Sequence, residues 1–286
     1  MTALDDRLAA LHADLVALPG VLVAFSGGVD SGVVLAAAVR ALGAGRVVAA
    51  TALSPSLPAA ERTAAAGFAR SLGVRHEQPR TDELSREGYV ANAGDRCFFC
   101  KAELVDVLTP IAARLGIADV VTGTNADDVR AGFRPGIRAA TERGAWAPLA
   151  RAGLTKDDVR AAAHRWELPL ADKPAAACLA SRIAYGVPVS AERLARVETA
   201  ETALRGALAA AGLTARDLRV RDLGAVRGRD TARVEVDAVL VAELAGRPEV
   251  LARVRDAAGF DLVELDPRGF RSGSMNELLP DPVRYR

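Results

Sequence analysis

The chain has 286 residues, of which 50% are apolar and 26% charged, with a formal net charge of +1. This composition excludes a disordered chain, and the balanced charge gives no general attraction for nucleic acids or anionic membranes. No apolar run approaches the roughly 20 residues of a membrane span, and the first residues lack a signal-peptide layout, so we expect a cytoplasmic protein. Three cysteines are too few for a disulfide framework, which leaves metal binding, reactivity or burial as their roles.

Short apolar runs alternate with amphipathic segments over the first part of the chain. The predicted strands span residues 21–25, 47–53 and 119–123, and another precedes a polar stretch that ends before residue 101. The predicted helices span residues 4–18, a stretch from Ser31 to about Leu42, 58–72, 101–115, and 155–166 with Thr155 as N-cap. This alternation predicts an α/β fold with a doubly wound, mostly parallel sheet, in which ligands bind beyond the carboxyl ends of the strands.

The pattern changes after Pro188. Helices at 190–211 and 248–257 and strands at 217–223, 231–236 and 260–265 predict a smaller α/β unit. We therefore predict two domains, residues 1–186 and 187–286.

The segment Ser26–Ser31, with the sequence Ser-Gly-Gly-Val-Asp-Ser, lies between a predicted strand and a predicted helix. Glycines let consecutive N–H groups converge on an anion, and the helix N-terminus adds its positive end. Asp30 suits a bridging Mg²⁺ better than direct contact with phosphate. The segment matches neither the Walker loop nor the dinucleotide glycine pattern. A plain glycine turn is the structural alternative.

This segment resembles the loop of PP-loop ATP pyrophosphatases, a HUP-like fold whose members hold the pyrophosphate of ATP and transfer AMP to a substrate oxygen. The resemblance narrows to the LarE family of sulfur transferases and covers nearly the whole chain. The motifs that carry it include Ala52–Pro55, Gly123–Asp128, Arg134–Gly136, Asp172–Pro174, Ala177–Arg182, Tyr185-Gly186 and Gly269–Asn276.

The LarE resemblance implies adenylation of a carboxylate of pyridinium-3,5-biscarboxylic acid mononucleotide and its conversion to a thiocarboxylate. This chemistry belongs to synthesis of the nickel-pincer nucleotide cofactor of lactate racemase. It implies a homo-oligomer that contacts other proteins of that synthesis. It also implies ATP and Mg²⁺ sites, with Asp30 and Asp128 as the magnesium carboxylates. The residues expected at the nucleotide are Ser26, Gly27, Gly28, Val29, Asp30, Ser31, Ser54, Gly123 and Asp128.

The three cysteines form a second constellation, Cys97-Phe98-Phe99-Cys100 and the distant Cys178. Two thiols separated by two residues suit one metal or cluster. The resemblance implies that Cys178 is the sulfur-bearing, catalytic position and that all three thiolates hold a [4Fe-4S] cluster. The alternatives are a sacrificial Cys178 that loses its own sulfur, a zinc site, and Cys97 and Cys100 as buried structural thiols. Zinc is disfavoured because the motifs contain no histidine.

Arginines in the second part of the chain form the third candidate site. Arg219 and Arg221 alternate on a predicted strand, so their side chains share one face. The resemblance implies that they bind the substrate phosphate, and Arg182, near Cys178, is a candidate partner for the substrate carboxylate. The alternative is a solvated strand face. The segment 223–229 looks longer than the family's turn, which bears on whether Glu235 takes its place in the site.

Several other functions fit parts of this pattern. Some PP-loop enzymes combine the loop with three cysteines to thiolate tRNA, but the near-neutral charge disfavours an RNA partner. An ammonia-using synthetase would leave the cysteines without a role. A non-enzymatic ATP- or metal-binding regulator on the same fold is the remaining alternative.

Overall fold

The computed structural model describes residues 2–131, 134–174 and 177–271. They divide into two compact units. The first comprises the described residues up to Glu83 and from Cys97 to residue 174, and the second comprises Leu84–Arg96 and the described residues from Ala177 onward. The division after residue 186 that we made from the sequence stays a prediction.

The helices and strands of the described residues follow in chain order. The α-helices are α1 (Ala3–Val16), α2 (Val29–Leu42), α3 (Ala59–Ser71), α4 (Glu87–Val90), α5 (Arg96–Arg114), α6 (Ala126–Arg130), α7 (Pro135–Glu142), α8 (Pro148–Arg151), α9 (Lys156–Arg165), α10 (Ala191–Ala210), α11 (Ala238–Ala245) and α12 (Pro248–Ala258). The strands are β1 (Val21–Ala24), β2 (Val47–Ala50), β3 (Arg75–Glu77), β4 (Asp119–Val121), β5 (Leu218–Val226), β6 (Arg229–Val236) and β7 (Leu262–Leu265). Short 3₁₀ helices span Ala44–Arg46, Glu83–Ser85 and Leu179–Arg182. None of the described helices is long and apolar enough to cross a membrane.

The first unit is built on a parallel four-stranded sheet with the order β3-β2-β1-β4. Alternate residues of β1 enter two different cores. Val21 and Val23 pack with residues of α1, α2 and α9, whereas Leu22 and Ala24 pack with residues of α5. Helices therefore cover both faces of the sheet, as the wholly buried, apolar central strands β1 and β2 require.

The strand order creates a switch point in the first unit. The chain runs from β1 outward to β2 and β3, and later returns to place β4 on the other side of β1. The segments after β1 and β4 consequently leave the sheet side by side, which is where ligands bind in open α/β sheets.

The second unit contains the three-stranded mixed sheet β5-β6-β7. β5 and β6 are antiparallel, and β6 and β7 are parallel. Its core joins apolar residues of these strands with α10 and α12. Residues 84–96, which run up to the first residue of α5, also belong to this unit.

The predicted α/β class, the parallel sheet and the separate smaller sheet are confirmed. Thr155 is the N-cap of α9, as predicted, with a capping box to Asp158. Most predicted boundaries lie within two residues of the observed ones, and three differ by more. β5 ends at Val226 and not at residue 223. β2 ends at Ala50 and not at residue 53, and Leu53 pairs with Arg80 only through an isolated bridge. α5 starts at Arg96 and not at residue 101, because the polar stretch before it already turns into helix.

Candidate functional site

The loop after β1 is held in shape by its two serines. Ser31 Oγ donates to Gly28 O at 3.1 Å, Ser26 N donates to Ser31 Oγ at 3.3 Å, and the two hydroxyl oxygens lie 3.1 Å apart. Gly27 has φ +78°, which glycine adopts without strain. Gly28 is the N-cap of α2 and has no side chain to cap the first N–H groups. The helix therefore offers its N-terminal donors and positive end to an anion.

The end of β4 approaches this loop closely. A Cβ atom built on Gly123 would lie 2.6 Å from Ser31 N and 2.8 Å from Ser31 Cα. Any side chain at Gly123 would push the two segments apart. The predicted site residues Ser31 and Gly123 are thus brought together at the switch point.

Asp30 is bound by two side chains that the sequence reasoning did not assign. Asn125 Nδ2 donates to Asp30 Oδ1 at 3.0 Å, and Lys156 Nζ forms a short ion pair with Asp30 Oδ2. Asn125 is buried, while Asp30 and Lys156 are partly exposed. Asn125 belongs to the motif Gly123–Asp128, and its position directly after a strand is the sequence feature that indicates a site residue. Lys156, 126 residues away from Asp30, had no local signal.

Asp128 has a structural task as well as a candidate metal role. Asn125 caps α6 by accepting from the backbone N–H groups of Asp127 and Asp128, and Asp128 Oδ2 accepts from Asn125 N at 3.2 Å. Asp128 Oδ1 lies 3.5 Å from Arg134 Nη2. Asp30 and Asp128 therefore share Asn125 as a neighbour. Carboxylate oxygens of this kind suit Mg²⁺, which favours oxygen ligands.

A second lysine supports the loop from another side. Lys173 Nζ donates to Gly27 O at 2.9 Å and pairs with Glu61 Oε2 at 2.5 Å. Lys173 belongs to the motif Asp172–Pro174, for which the sequence alone predicted no role for the lysine. Lys173 thus fixes the Gly27 carbonyl of the loop while its charge is paired with Glu61.

Ser54 and Cys100 are connected through Glu83 in the first unit. Ser54 Oγ lies 2.8 Å from Ser56 Oγ, and a hydrogen bond from Ser54 also acts on Glu83. Burial raises the pKa of Glu83, against the hydrogen bonds from its own backbone, Thr81 and Ser54. Cys100 Sγ lies 4.0 Å from Glu83 Oε1 as a weak donor. Cys97 and Cys100 occupy the first turn of α5, and spacing of three places them on one helical face.

In the second unit, Arg182 holds the turn that follows Cys178. Cys178 is exposed and is the N-cap residue of the 3₁₀ helix Leu179–Arg182. Arg182 is buried, pairs with Glu201 through Nε at 2.8 Å, and donates from Nη1 to Ala177 O at 2.6 Å. Arg182 therefore uses much of its hydrogen-bonding capacity inside the protein. These bonds stabilise the turn that follows Cys178.

The neighbouring arginines of β5 differ sharply. Arg221 is 2% exposed, forms a bidentate pair with Glu235 at 2.6 and 3.0 Å, and donates to Ser181 O at 2.8 Å. Arg219 is partly exposed and lies over the Phe270 ring, 4.5 Å from its centroid. Burial, followed by the charges of Arg182 and Arg221, lowers the pKa of Arg219 to about 10. Glu235 lies directly opposite Arg219 in the strand pairing.

The segment before Arg233 does not disturb this arrangement. β5 continues to Val226, and the pairing register shifts between Asp222 and Ala225 before β6 begins at Arg229. The segment 223–229 is therefore accommodated by a β-bulge and a hairpin. Glu235 keeps its place beside the arginines.

Two candidate features of the sequence are not seen in the described residues. Within the described ranges, no group of three or more His, Cys, Asp or Glu side chains is arranged to hold a metal ion. Ser272–Asn276, the end of the last motif from the sequence, lies outside the described residues.

Comparison with known proteins decides the family. No family model matches the chain. It is 34% identical over 279 residues to the pyridinium-3,5-bisthiocarboxylic acid mononucleotide synthase of Lactiplantibacillus plantarum, covering 98% of this chain and 97% of the relative. The chain belongs to the LarE family. Two uncharacterized proteins are also similar: one of Synechocystis sp. is 38% identical over 96% of this chain and 99% of its own length. The other, of Methanocaldococcus jannaschii, is 29% identical over 64% of this chain and 67% of its own.

Proposed function

We propose that this LarE family member is an ATP-dependent sulfur transferase that acts on a carboxylate of pyridinium-3,5-biscarboxylic acid mononucleotide. The observation that carries the proposal is the nearly full-length similarity to a protein named for the corresponding bisthiocarboxylic product. A carboxylate oxygen is a poor leaving group, so replacement by sulfur requires activation first. The Ser26–Ser31 loop is the region suited to supply that activation from ATP.

In the activation step, a carboxylate oxygen of the substrate attacks the α-phosphorus of ATP, and the bond to pyrophosphate breaks. The N–H groups at the start of α2 would bind the departing phosphates, with Lys173 as an adjacent cation. Asp30 and Asp128 would hold Mg²⁺, which supplies charge neutralisation when bound. For Asp30 to do so, its ion pair with Lys156 must open. The freed ammonium group would then be available to a phosphate oxygen.

In the transfer step, a sulfur nucleophile attacks the acyl carbon, the C–O bond to AMP breaks, and a thiocarboxylate forms. Cys97, Cys100 and Cys178 would hold the [4Fe-4S] cluster, and thiolates are the ligands that such clusters require. When bound, a cluster with one iron free of protein ligands supplies a place for an external sulfide. Cys97 and Cys100 fit this use through their shared helical face, and Cys97 and Cys178 through their exposure.

Arg219 is suited to bind the phosphate of the mononucleotide substrate. Among the described residues it forms no ion pair within 4.0 Å, while its neighbours Arg182 and Arg221 are paired with Glu201 and Glu235. An incoming phosphate would compensate its charge through short, charge-assisted hydrogen bonds. Arg221 would support this site from within the unit, because its guanidinium is already engaged.

The test measures pyrophosphate release from ATP with the pyridinium dicarboxylate nucleotide, with bulk tRNA, and with no substrate. The proposal expects release only with the pyridinium nucleotide and formation of a thiocarboxylate when sulfide is supplied. Stimulation by tRNA would favour the thiolation alternative, and binding of ATP without release would favour a regulator. Loss of H₂S from the mass of Cys178 after one turnover, with transfer retained in Cys97→Ala, would replace the cluster by the sacrificial mechanism.

A further inference from the structure

The segment Leu84–Arg96 contains a side chain that binds the loop after Cys178. Asn92 is fully buried, and its Nδ2 donates to Ala184 O at 2.8 Å and Val187 O at 2.7 Å. Its backbone oxygen accepts from Gly186 N at 3.2 Å. Asn92 has φ +53°, a left-handed conformation that is uncommon outside glycine. Asn is among the non-glycine residues that adopt this conformation most readily, so the segment is anchored to the loop by a residue suited to the local backbone geometry.

Arg96 binds both Asn92 and the turn that follows Cys178. It is 4% exposed, and its Nη1 donates to Asn92 Oδ1 in a short contact and to Ala180 O at 2.9 Å. Its guanidinium also lies over the Tyr185 ring, 5.6 Å from the centroid. Arg96 directly precedes Cys97, and Ala180 is the second residue after Cys178. One side chain therefore connects the entry into the first cysteine motif with the 3₁₀ turn after the third cysteine.

We propose that Arg96 and Asn92 are positioning residues for the sulfur-transfer cysteines, fastening the chain that enters Cys97 to the loop that follows Cys178. The role in sulfur transfer rests on the proposed function. The attachment of Asn92 and Arg96 to the loop rests on contacts within the second unit. A buried guanidinium is expensive to desolvate, and apolar packing would attach a loop at lower cost. What the guanidinium adds is directional hydrogen bonding that fixes one geometry, as partners behind metal ligands do.

The first experiment measures geometry in the full-length, reduced protein without any cluster. The probe is dibromobimane, a short reagent that cross-links two thiols. In a Cys100→Ser background it reports the Cys97 and Cys178 pair, and in a Cys178→Ser background it reports the Cys97 and Cys100 pair. We expect Arg96→Ala to slow cross-linking of the first pair by roughly tenfold or more, as expected for loss of a hydrogen bond to a charged group. The second pair lies on one turn of α5 and should cross-link at the wild-type rate.

Matched variants separate positioning from general damage. Arg196→Ala removes another guanidinium of the second unit, one that binds Asp230 and the backbone oxygens of Ala258 and Gly259. It should leave both cross-linking rates unchanged. Asn92→Gly keeps a residue suited to φ +53° but removes both connections, so it should behave like Arg96→Ala. Arg96→Lys retains one donor and should give an intermediate rate.

The second experiment reconstitutes the [4Fe-4S] cluster under anaerobic conditions and measures iron, sulfide and the visible spectrum. Arg96→Ala and Asn92→Gly should retain at most about a tenth of the wild-type cluster at limiting iron, by the same reasoning. If the wild type binds no cluster but the two variants still slow cross-linking, the positioning role stands and the cluster in the proposed function fails. Unchanged cross-linking in folded Arg96→Ala and Asn92→Gly would overturn the inference, whatever the wild type binds.

Discussion

The Asp30 region of the first unit and the arginine cluster of the second unit handle charge in opposite ways. Asp30 has an internal cation, Lys156, and an amide donor, Asn125. In the cluster, Arg182, Arg219 and Arg221 face two carboxylates, Glu201 and Glu235. The first region is balanced before any ligand arrives, whereas the second carries an excess positive charge.

This difference teaches what ligand binding must do in each place. In the proposed reaction, a cation at Asp30 has to replace Lys156, so its binding would rearrange an existing ion pair. Burial and the two neighbouring guanidiniums disfavour the charged form of Arg219, as its lowered pKa of about 10 indicates. The proposed phosphate would offset this cost with its own negative charge. We therefore expect mutations to separate stability from function in the second region more clearly than in the first.

The largest effect should follow from breaking the buried pair of the cluster. Arg221→Met leaves the Glu235 carboxylate buried without its bidentate partner and should lower the free energy of unfolding by about 3–5 kcal/mol. Urea unfolding followed by circular dichroism measures this. Arg219→Met is the matched control on the same strand face. Equal stability of the two variants would contradict the distinction between Arg221, which stabilises the fold, and Arg219, which is proposed to bind the ligand.

Next in size is the loss of the balanced carboxylate. Asp30→Ala should reduce pyrophosphate release by roughly 10²–10³-fold, because electrostatic groups at a phosphate site contribute on this scale. The folded state should persist, since Asp30 lies at the loop and outside the apolar cores. Asp157→Ala, an exposed carboxylate in the first turn of α9, is the control. A folded Asp30→Ala enzyme with the wild-type rate would remove Asp30 from the reaction.

The third prediction uses the excess charge itself. Arg219→Met should weaken binding of the pyridinium mononucleotide by roughly tenfold or more, from loss of charged hydrogen bonds, and leave ATP affinity unchanged. Because the pKa of Arg219 in the folded protein, about 10, lies below its usual value, the charged form costs stability below pH 10. The unliganded variant should therefore melt no lower than wild type at pH 8. Calorimetric titration measures the substrate affinity, and thermal unfolding measures the melting temperature. Unchanged substrate affinity would show that Arg219 does not bind the substrate phosphate.

The smallest effect separates the two tasks of Asp128. Asp128→Asn retains an oxygen for the capping box but loses the negative charge, so stability should change by less than about 0.5 kcal/mol. The Mg²⁺ concentration for half-maximal pyrophosphate release should nevertheless rise several-fold. Asp128→Ala should lower stability further, because it removes the acceptor for the Asn125 N–H and with it half of the capping box. If Asp128→Asn shows the wild-type Mg²⁺ requirement, Asp128 is only a capping residue.

Local patterns in the sequence were enough for most of the first unit. The apolar runs at β1 and β2, the glycines after β1 and the Thr155 cap are all encoded over a few residues, so they could be predicted. The start of α5 was placed too late, at residue 101, because its first turn lies in a stretch that we interpreted as a polar connection. The family motifs also indicated the regions around Ser31, Gly123 and Arg219.

The sequence by itself determined the α/β class, the glycine loop after β1 and the chemical types of the side chains around it, because these depend on local periodicity and residue chemistry. Only the tertiary structure decided how charges are paired. Lys156 reaches Asp30 across 126 residues, and Asn92 reaches Ala184 across 92 residues. It also decided that Arg221 is buried against Glu235 while Arg219, two residues earlier, lies over Phe270. Strand alternation puts both arginines on one face, but partners distant in the chain determine which guanidinium is already neutralised and which can meet a ligand.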